Sequence, residues 1–85
     1  MSDFTDVILV IMPDEATGMM LPEEKLKELR EELFNWRWEE LNPYTFHQDI
    51  YKPHVKTIID NIYELPSKYG VEFYIYHSDG IAILT

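Results

Sequence analysis

The chain has three histidines, the side chains that most readily support acid–base or metal chemistry near neutral pH. His47 lies two residues before Asp49, and His54 follows five residues after it, so these three groups could in principle surround a metal ion. Their spacing matches no helical metal-binding motif, and Pro53 interrupts the segment. We therefore expect hydrogen-bonded or solvated histidines and no metal site. His77, beside a predicted hairpin turn, is interpreted as a packing residue.

Nucleophilic catalysis needs a reactive hydroxyl, thiol or amine held beside a general base. The chain has no cysteine, and Ser67 and Ser78 fall in predicted turns without a nucleophile-elbow sequence around them. Its three glycines are isolated from one another, which excludes a glycine-rich phosphate loop. We predict a protein that is not an enzyme and has no cofactor. A small-molecule binder or enzyme, with residues 44–51 lining an aromatic pocket, is the least favoured alternative.

The chemistry that the sequence does offer is negative charge. The formal net charge is −9, and residues 1–49 hold twelve acidic and four basic side chains against four and three in residues 50–85. Affinity for phosphates comes from Lys and Arg, so nucleic acid and anionic membranes are poor direct partners. A basic protein surface fits better, because complementary charge steers association.

Much of this charge lies in Pro22–Leu41, whose spacing predicts one long helix. Pro22 suits the first helical position, and Asn42 followed by Pro43 predicts the stop. One apolar stripe comprises Leu26, Leu29, Leu33 and Trp36, with a flanking strip of Phe34, Trp38 and Leu41. The opposite side, about 22 Å long at helical rise, is the predicted partner-binding face and comprises Glu24, Glu28, Glu31, Glu32 and Glu39.

The remaining segments predict an α+β fold. Phe4–Met12 has a continuous apolar run typical of a strand buried on both faces, and the loop Pro13–Leu21 follows it. A capping-box pattern predicts a short helical turn over about Phe46–Tyr51, and a second helix is predicted from Pro53 to Leu65. Val71–His77 and Ile81–Thr85 flank an Asp-Gly hairpin turn.

The predicted architecture is a single small domain over residues 1–85 in the order β-α-α-β-β. A three-stranded sheet, including the C-terminal hairpin, packs on two helices. The last strand is expected in the centre because it is apolar on both sides, which leaves the first strand at an exposed apolar edge.

One face of the predicted hairpin is too apolar for an ordinary wetted surface. We expect it to support self-association or another apolar contact, together with two adaptable methionines at the end of the preceding loop. The residues of this predicted contact are Met19, Met20, Tyr74, Tyr76, Ile81 and Ile83.

These observations favour a non-enzymatic interaction protein that binds, and thereby inhibits, a basic nucleic-acid-binding target such as a nuclease, a polymerase or a defence complex. Small acidic phage-encoded inhibitors and toxin immunity proteins share this size and charge, although no motif carries the likeness. The alternative is a homodimeric structural or adaptor module. We expect a homodimer, which is compatible with both functions. An acidic N-terminus without a signal-peptide pattern and the absence of cysteine favour a cytoplasmic protein.

Overall fold

The structure, a computed structural model, describes residues 3–13 and 16–85 and has the predicted α+β fold. Two residues of the predicted loop, Asp14 and Glu15, lie outside the described residues. The elements in chain order are β1 (Phe4–Met12), α1 (Glu23–Asn35), β2 (Glu39–Asn42), β3 (Thr45–Tyr51), a 3₁₀ turn (Lys52–His54), α2 (Val55–Asn61), α3 (Leu65–Tyr69), β4 (Glu72–His77) and β5 (Gly80–Leu84).

The strands form one antiparallel sheet in the order β2-β3-β1-β4-β5, with five strands in the described part of the chain. The prediction of three strands with the last one central is therefore wrong: β1 is central and β5 is at an edge. The expectation that β1 is buried on both faces holds only in part: Val7, Leu9 and Ile11 are buried against the helices, whereas Ile8 and Val10 on the other face are half-buried among side chains of the neighbouring strands. The segments up to β4 follow the connectivity of a split β-α-β motif, and β5 extends it.

The helix α1 ends at Asn35, six residues before the predicted end at Leu41. Arg37 adopts a left-handed conformation with φ 70°. Its N–H donates to the Phe34 carbonyl at 2.9 Å, and the Trp38 N–H donates to the Leu33 carbonyl at 3.0 Å. These two bonds form a Schellman motif, which normally has glycine at the left-handed position. The sequence hides this helix end because arginine occupies that position.

Of the residues predicted to form the apolar strips of the long helix, the leucines within α1 are buried, whereas the assignment fails at and beyond the end of α1. Leu26, Leu29 and Leu33 are buried as predicted. Trp36, at the helix end, is 44% exposed and Phe34 is 76% exposed, so both assignments to a packed strip were wrong.

The chain after α1 returns as the hairpin β2–β3, where the sequence predicted a continued helix and then a short helical turn. Asn42 and Pro43 mark the hairpin turn: the Asn42 side-chain oxygen accepts a hydrogen bond from the Tyr44 N–H at 2.9 Å. Phe46 and Ile50 are buried against β1, and this long-range pairing outweighs the local capping-box pattern.

The second helical segment is broken into α2 and α3, although its apolar stripe packs as predicted. Ile62 and Leu65 are buried, and Val55, Ile58 and Ile59 pack against the core. Pro66 does not end the helix; it lies in the first turn of α3, where a missing N–H is tolerated.

The C-terminal hairpin forms as predicted, but its turn is centred one residue earlier, on Ser78-Asp79. His77 pairs with Gly80, and Tyr76 pairs with Ile81. Moving the centre of a turn by one residue shifts every cross-strand partner by two, so each side chain keeps its predicted face.

The molecule has two layers, with the helices on one face of the sheet. Alternate strand residues form a single core with the helices, whereas the opposite set stays half-buried or exposed. We call the opposite side, which no described helix covers, the outer face. The core residues are Val7, Leu9, Ile11, Leu26, Leu29, Leu33, Trp38, Phe46, Ile50, Ile62, Leu65, Val71, Phe73, Ile75 and Leu84. No helix in the described residues is long and apolar enough to cross a membrane.

Candidate functional site

The exposed side of α1 presents three of the five predicted acidic residues. Burial of its leucines fixes the rotation of the helix, so Glu24, Glu28 and Glu31 project from the opposite side at i, i+4 and i+7. They span about 10 Å at helical rise. We call these three residues the helix acidic face.

The carboxylates of the helix acidic face have few partners within the protein. Glu28 lies 3.5 Å from the Lys25 amine, and both side chains are more than half exposed, so this pair is weak. Within residues 3–13 and 16–85, no side-chain hydrogen bond or ion pair involves Glu24 or Glu31. Two of the three charges are therefore available to an external partner.

Glu32 belongs to an internal contact between α1 and α3. Its carboxylate accepts a hydrogen bond from the Tyr69 hydroxyl and lies 3.1 Å from the Lys68 amine. The hydrogen bond from Tyr69, followed by the interaction with Lys68, holds the pKa of Glu32 below its ordinary value against the opposing effect of burial. Glu32 was predicted to be free on the partner-binding face of the helix. That prediction is wrong, because its carboxylate contacts Tyr69 and Lys68.

Glu39 is also separated from the helix, because α1 ends before it. It lies on β2 and pairs with His47 across the strands, with its carboxylate 3.8 Å from the His47 Nδ1 atom. The predicted acidic face of about 22 Å is therefore shortened to the three residues on α1.

The outer face has its own cluster of acidic residues, which the sequence analysis missed. Asp6 and Asp49 are direct cross-strand partners, although like charges in that position destabilise a sheet. The His47 Nε2 atom is 2.7 Å from Asp6, and Glu39 approaches the same imidazole. The apolar residues Phe46 and Ile50, an even number of positions apart, indicate one face of a strand, and this pattern could have revealed the cluster on the other face. We call Asp6, Glu39, His47 and Asp49 the sheet acidic cluster.

Lysine and arginine are absent from the described part of the sheet. None of the five described strands contains Lys or Arg; these residues lie on the helical segments or at their ends. On the core side of β2, the Arg30 guanidinium on α1 pairs with Glu40, at 2.6 Å and 3.3 Å. Among the described strand residues, His47 is therefore the basic side chain that lies beside the carboxylates of the outer face.

The predicted apolar contact residues are only partly brought together. Tyr76 pairs with Ile81 and Tyr74 with Ile83, which places all four on the outer face beside β1. Ile81 and Ile83 are 58% and 53% exposed. Met19 and Met20 are not on these strands; they are in the segment before α1, where Met19 is 70% exposed.

The candidate catalytic groups do not assemble. His47 is on the outer face, His54 packs edge-on against the Tyr51 ring, and His77 accepts a hydrogen bond from the Asp79 N–H. Ser67 donates to the Glu64 carbonyl at the start of α3. Across the two described ranges, no group of three or more His, Asp or Glu side chains is arranged to hold a metal ion.

Three apolar residues at or after the end of α1 are exposed, although the sequence analysis assigned them to the apolar strips of a longer helix. Phe34, Trp36 and Leu41 are between 44% and 76% exposed, and the left-handed Arg37 lies among them. Trp38 lines a cavity together with Phe34 and Arg37. It is 1% exposed, and its indole N–H has no hydrogen-bond partner in the described structure.

Comparison with known proteins adds no assignment, because no family model, curated protein or solved structure matches the chain.

Proposed function

We propose that this chain is a small acidic interaction protein that binds a basic protein target and inhibits it by covering the surface on which the target holds nucleic acid. A nuclease, a polymerase or a defence complex has such a surface. Small phage-encoded inhibitors and immunity proteins have a similar size and charge, and the proposed class follows that likeness. The cytoplasm, where such targets work, is the proposed place of action.

The observation that carries this proposal is the helix acidic face. Glu24, Glu28 and Glu31 project from a helix whose other side is held by three leucines no more than 2% exposed. A helix anchored in this way presents the three side chains from a backbone that is already ordered, so no backbone entropy has to be lost when a partner binds.

The spacing of these charges supports a nucleic-acid-like surface. Successive carboxylates along α1 are separated by about 6 Å and 4.5 Å of helical rise. One strand of duplex DNA carries a phosphate about every 3.4 Å along its axis, which is a distance of the same order. A groove lined with Lys and Arg at phosphate spacing could therefore meet two or three of these carboxylates.

Three variants of equal net charge identify which surface binds the target. The first neutralises the helix acidic face (Glu24→Gln, Glu28→Gln, Glu31→Gln), and the second neutralises the sheet acidic cluster (Asp6→Asn, Glu39→Gln, Asp49→Asn). The third, a matched control, neutralises exposed acids elsewhere (Asp3→Asn, Asp60→Asn, Glu64→Gln). Each replaces three acids, so any difference between them reports position and not net charge.

The experiment is capture from lysate by each immobilised variant, with mass spectrometry of the proteins retained. We expect the wild type to enrich nucleic-acid-binding proteins that excess DNA displaces. The helix variant should lose them, while the control keeps them. If all three variants lost the captured proteins equally, the attraction would be non-specific. If the helix variant kept them and the sheet variant lost them, the binding site would be on the outer face. Either result refutes the proposed role of α1.

A further inference from the structure

The two edges of the sheet differ in how they are protected against pairing with another strand. The β2 edge is short and irregular, with a register shift between Glu40 and Asn42, and it carries two acidic residues. Charges, irregularity and short length are the usual protections of an exposed edge. The β5 edge, Gly80–Leu84, has no charged residue, no proline and no irregularity in its pairing with β4.

The register of the hairpin identifies which backbone groups of β5 are unpaired. In a two-residue hairpin the pair that closes the turn, here His77 and Gly80, is hydrogen-bonded, and such pairs then alternate along the strands. Gly80, Ala82 and Leu84 therefore direct their N–H and C=O groups towards β4. Ile81 and Ile83 direct theirs away from the sheet, where no described strand lies.

The side chains of the same two residues are also exposed. Ile81 and Ile83 are more than half exposed on the outer face, next to Tyr76, which is 41% exposed. A row of unpaired backbone groups beside contiguous apolar side chains favours a β-strand as the occupant, because a strand satisfies both at once.

We propose that β5 pairs with β5 of a second copy of this chain, antiparallel about a twofold axis through Ala82, so that two five-stranded sheets join into one. The sequence Ile81-Ala82-Ile83 reads the same in both directions. In this register Ile81 lies opposite the partner's Ile83, and the outward N–H and C=O groups of both residues are satisfied in each copy.

The distribution of charge favours a second copy at this edge. Each chain carries −9, so two copies repel each other least when they approach through surfaces of low local charge. The sheet acidic cluster lies on β1, β2 and β3, away from β5, and the helix acidic face is on the other layer. The dimer leaves both acidic surfaces open, so the inference is independent of the proposed function.

The test begins with the mass of the protein in solution. Sedimentation velocity or light scattering after gel filtration should give twice the 10.2 kDa of one chain at high micromolar concentration. Ile83→Lys should return the protein to the monomer mass, because it places a charge in the shared sheet. Phe34→Lys is the matched control: Phe34 is 76% exposed on α1, and this change should leave the dimer intact.

Amide hydrogen exchange separates edge pairing from other dimers. The Ile81 and Ile83 amides should exchange at least tenfold more slowly at high protein concentration than at high dilution, and Ile83→Lys should abolish the difference at Ile81. Circular dichroism of this variant verifies that it remains folded. A monomer at high micromolar concentration overturns the inference, and so does a dimer in which both amides exchange freely.

Discussion

The hydroxyl of Tyr69, on α3, donates a hydrogen bond to the carboxylate of Glu32, on α1. The Lys68 amine lies 3.1 Å from the same carboxylate, so two adjacent residues of α3 hold one side chain of α1. This contact joins segments 36 residues or more apart in sequence and stabilises the packing of the two helices on the sheet. It also explains why Glu32 contributes less to the exposed acidic surface than its neighbours.

Tyr69→Phe should lower the free energy of unfolding by about 1 kcal/mol, because it removes a hydrogen bond to a charged group that solvent partly screens. Urea denaturation near neutral pH measures this change. Tyr63→Phe is the control, since Tyr63 is 63% exposed. Equal effects of the two changes would contradict a specific role for the Tyr69 hydroxyl.

Acid should weaken the same contact. The pKa of folded Glu32 is lowered, chiefly by the Tyr69 hydrogen bond, so its stabilising contribution is complete above the ordinary glutamate pKa. The contribution is lost as pH falls through the lowered folded value. We therefore expect Glu32→Gln to be less stable than wild type near neutral pH and to approach it in acid. Urea denaturation of both proteins across this pH range measures the difference, and a constant difference would contradict the assignment.

High pH should also weaken the contact between Tyr69 and Glu32, because the tyrosine hydroxyl then loses the proton that it donates. Burial, and then the hydrogen bond to Glu32, raise the pKa of Tyr69 above its ordinary value of about 10. A raised folded pKa gives stability that is present below the unfolded value and lost as pH rises through the folded one. Wild-type stability should therefore decline above about pH 10 more steeply than that of Tyr69→Phe. The tyrosinate absorbance of each protein, followed during the titration, tests whether Tyr69 is the group responsible.

Core substitutions on α1 should be costly. Leu29 and Leu33 are 0% exposed, and replacing either by Ala should cost about 2–5 kcal/mol through lost burial and the resulting cavity. Glu28→Gln, on the opposite side of the helix, should leave stability almost unchanged. Thermal melts that ranked these variants in the opposite order would show that the helix faces were wrongly assigned.

Arg37→Gly should stabilise the protein by about 1 kcal/mol, because glycine adopts the left-handed conformation without the steric penalty of a Cβ atom. Arg37→Ala is the matched control, since it removes the charge and retains the strain. We expect the gain in urea denaturation for Gly alone. A similar gain for Ala would assign the effect to charge and not to backbone strain.

The proposed function predicts a strong dependence on salt. Screening shortens from about 10 Å at 0.1 M to about 3 Å at 1 M ionic strength, so binding of a captured basic target should weaken steeply. Neutralising the helix acidic face should slow association more than it accelerates dissociation. Tyr74→Ala should change neither rate. Surface plasmon resonance at two salt concentrations measures the association and dissociation rates. Faster dissociation of Tyr74→Ala, with little dependence on salt, would instead favour binding through the apolar side chains of the outer face.

Local patterns in the sequence determined several parts of this structure. The spacing of Leu26, Leu29 and Leu33 fixed both the existence of α1 and the side that it buries, because helical periodicity depends only on neighbouring residues. Strand periodicity similarly fixed the two faces of the C-terminal hairpin, and these survived a displacement of its turn. The net charge, and its concentration before residue 50, also follow from the sequence alone.

Other parts were decided only by the tertiary structure. Trp38 continues a helical pattern in sequence, yet it is buried because Arg37 reverses the chain and β2 pairs with β3. Likewise, the order of the strands depends on pairings such as Val7 with Gln48, between residues far apart in the chain. Pairing between distant segments places Glu39 on the outer face, where Glu39 and Asp6 both approach His47. It also brings Glu32 into contact with Lys68 on α3. No local pattern encodes these contacts, because their stability comes from surfaces that meet only after the chain has folded.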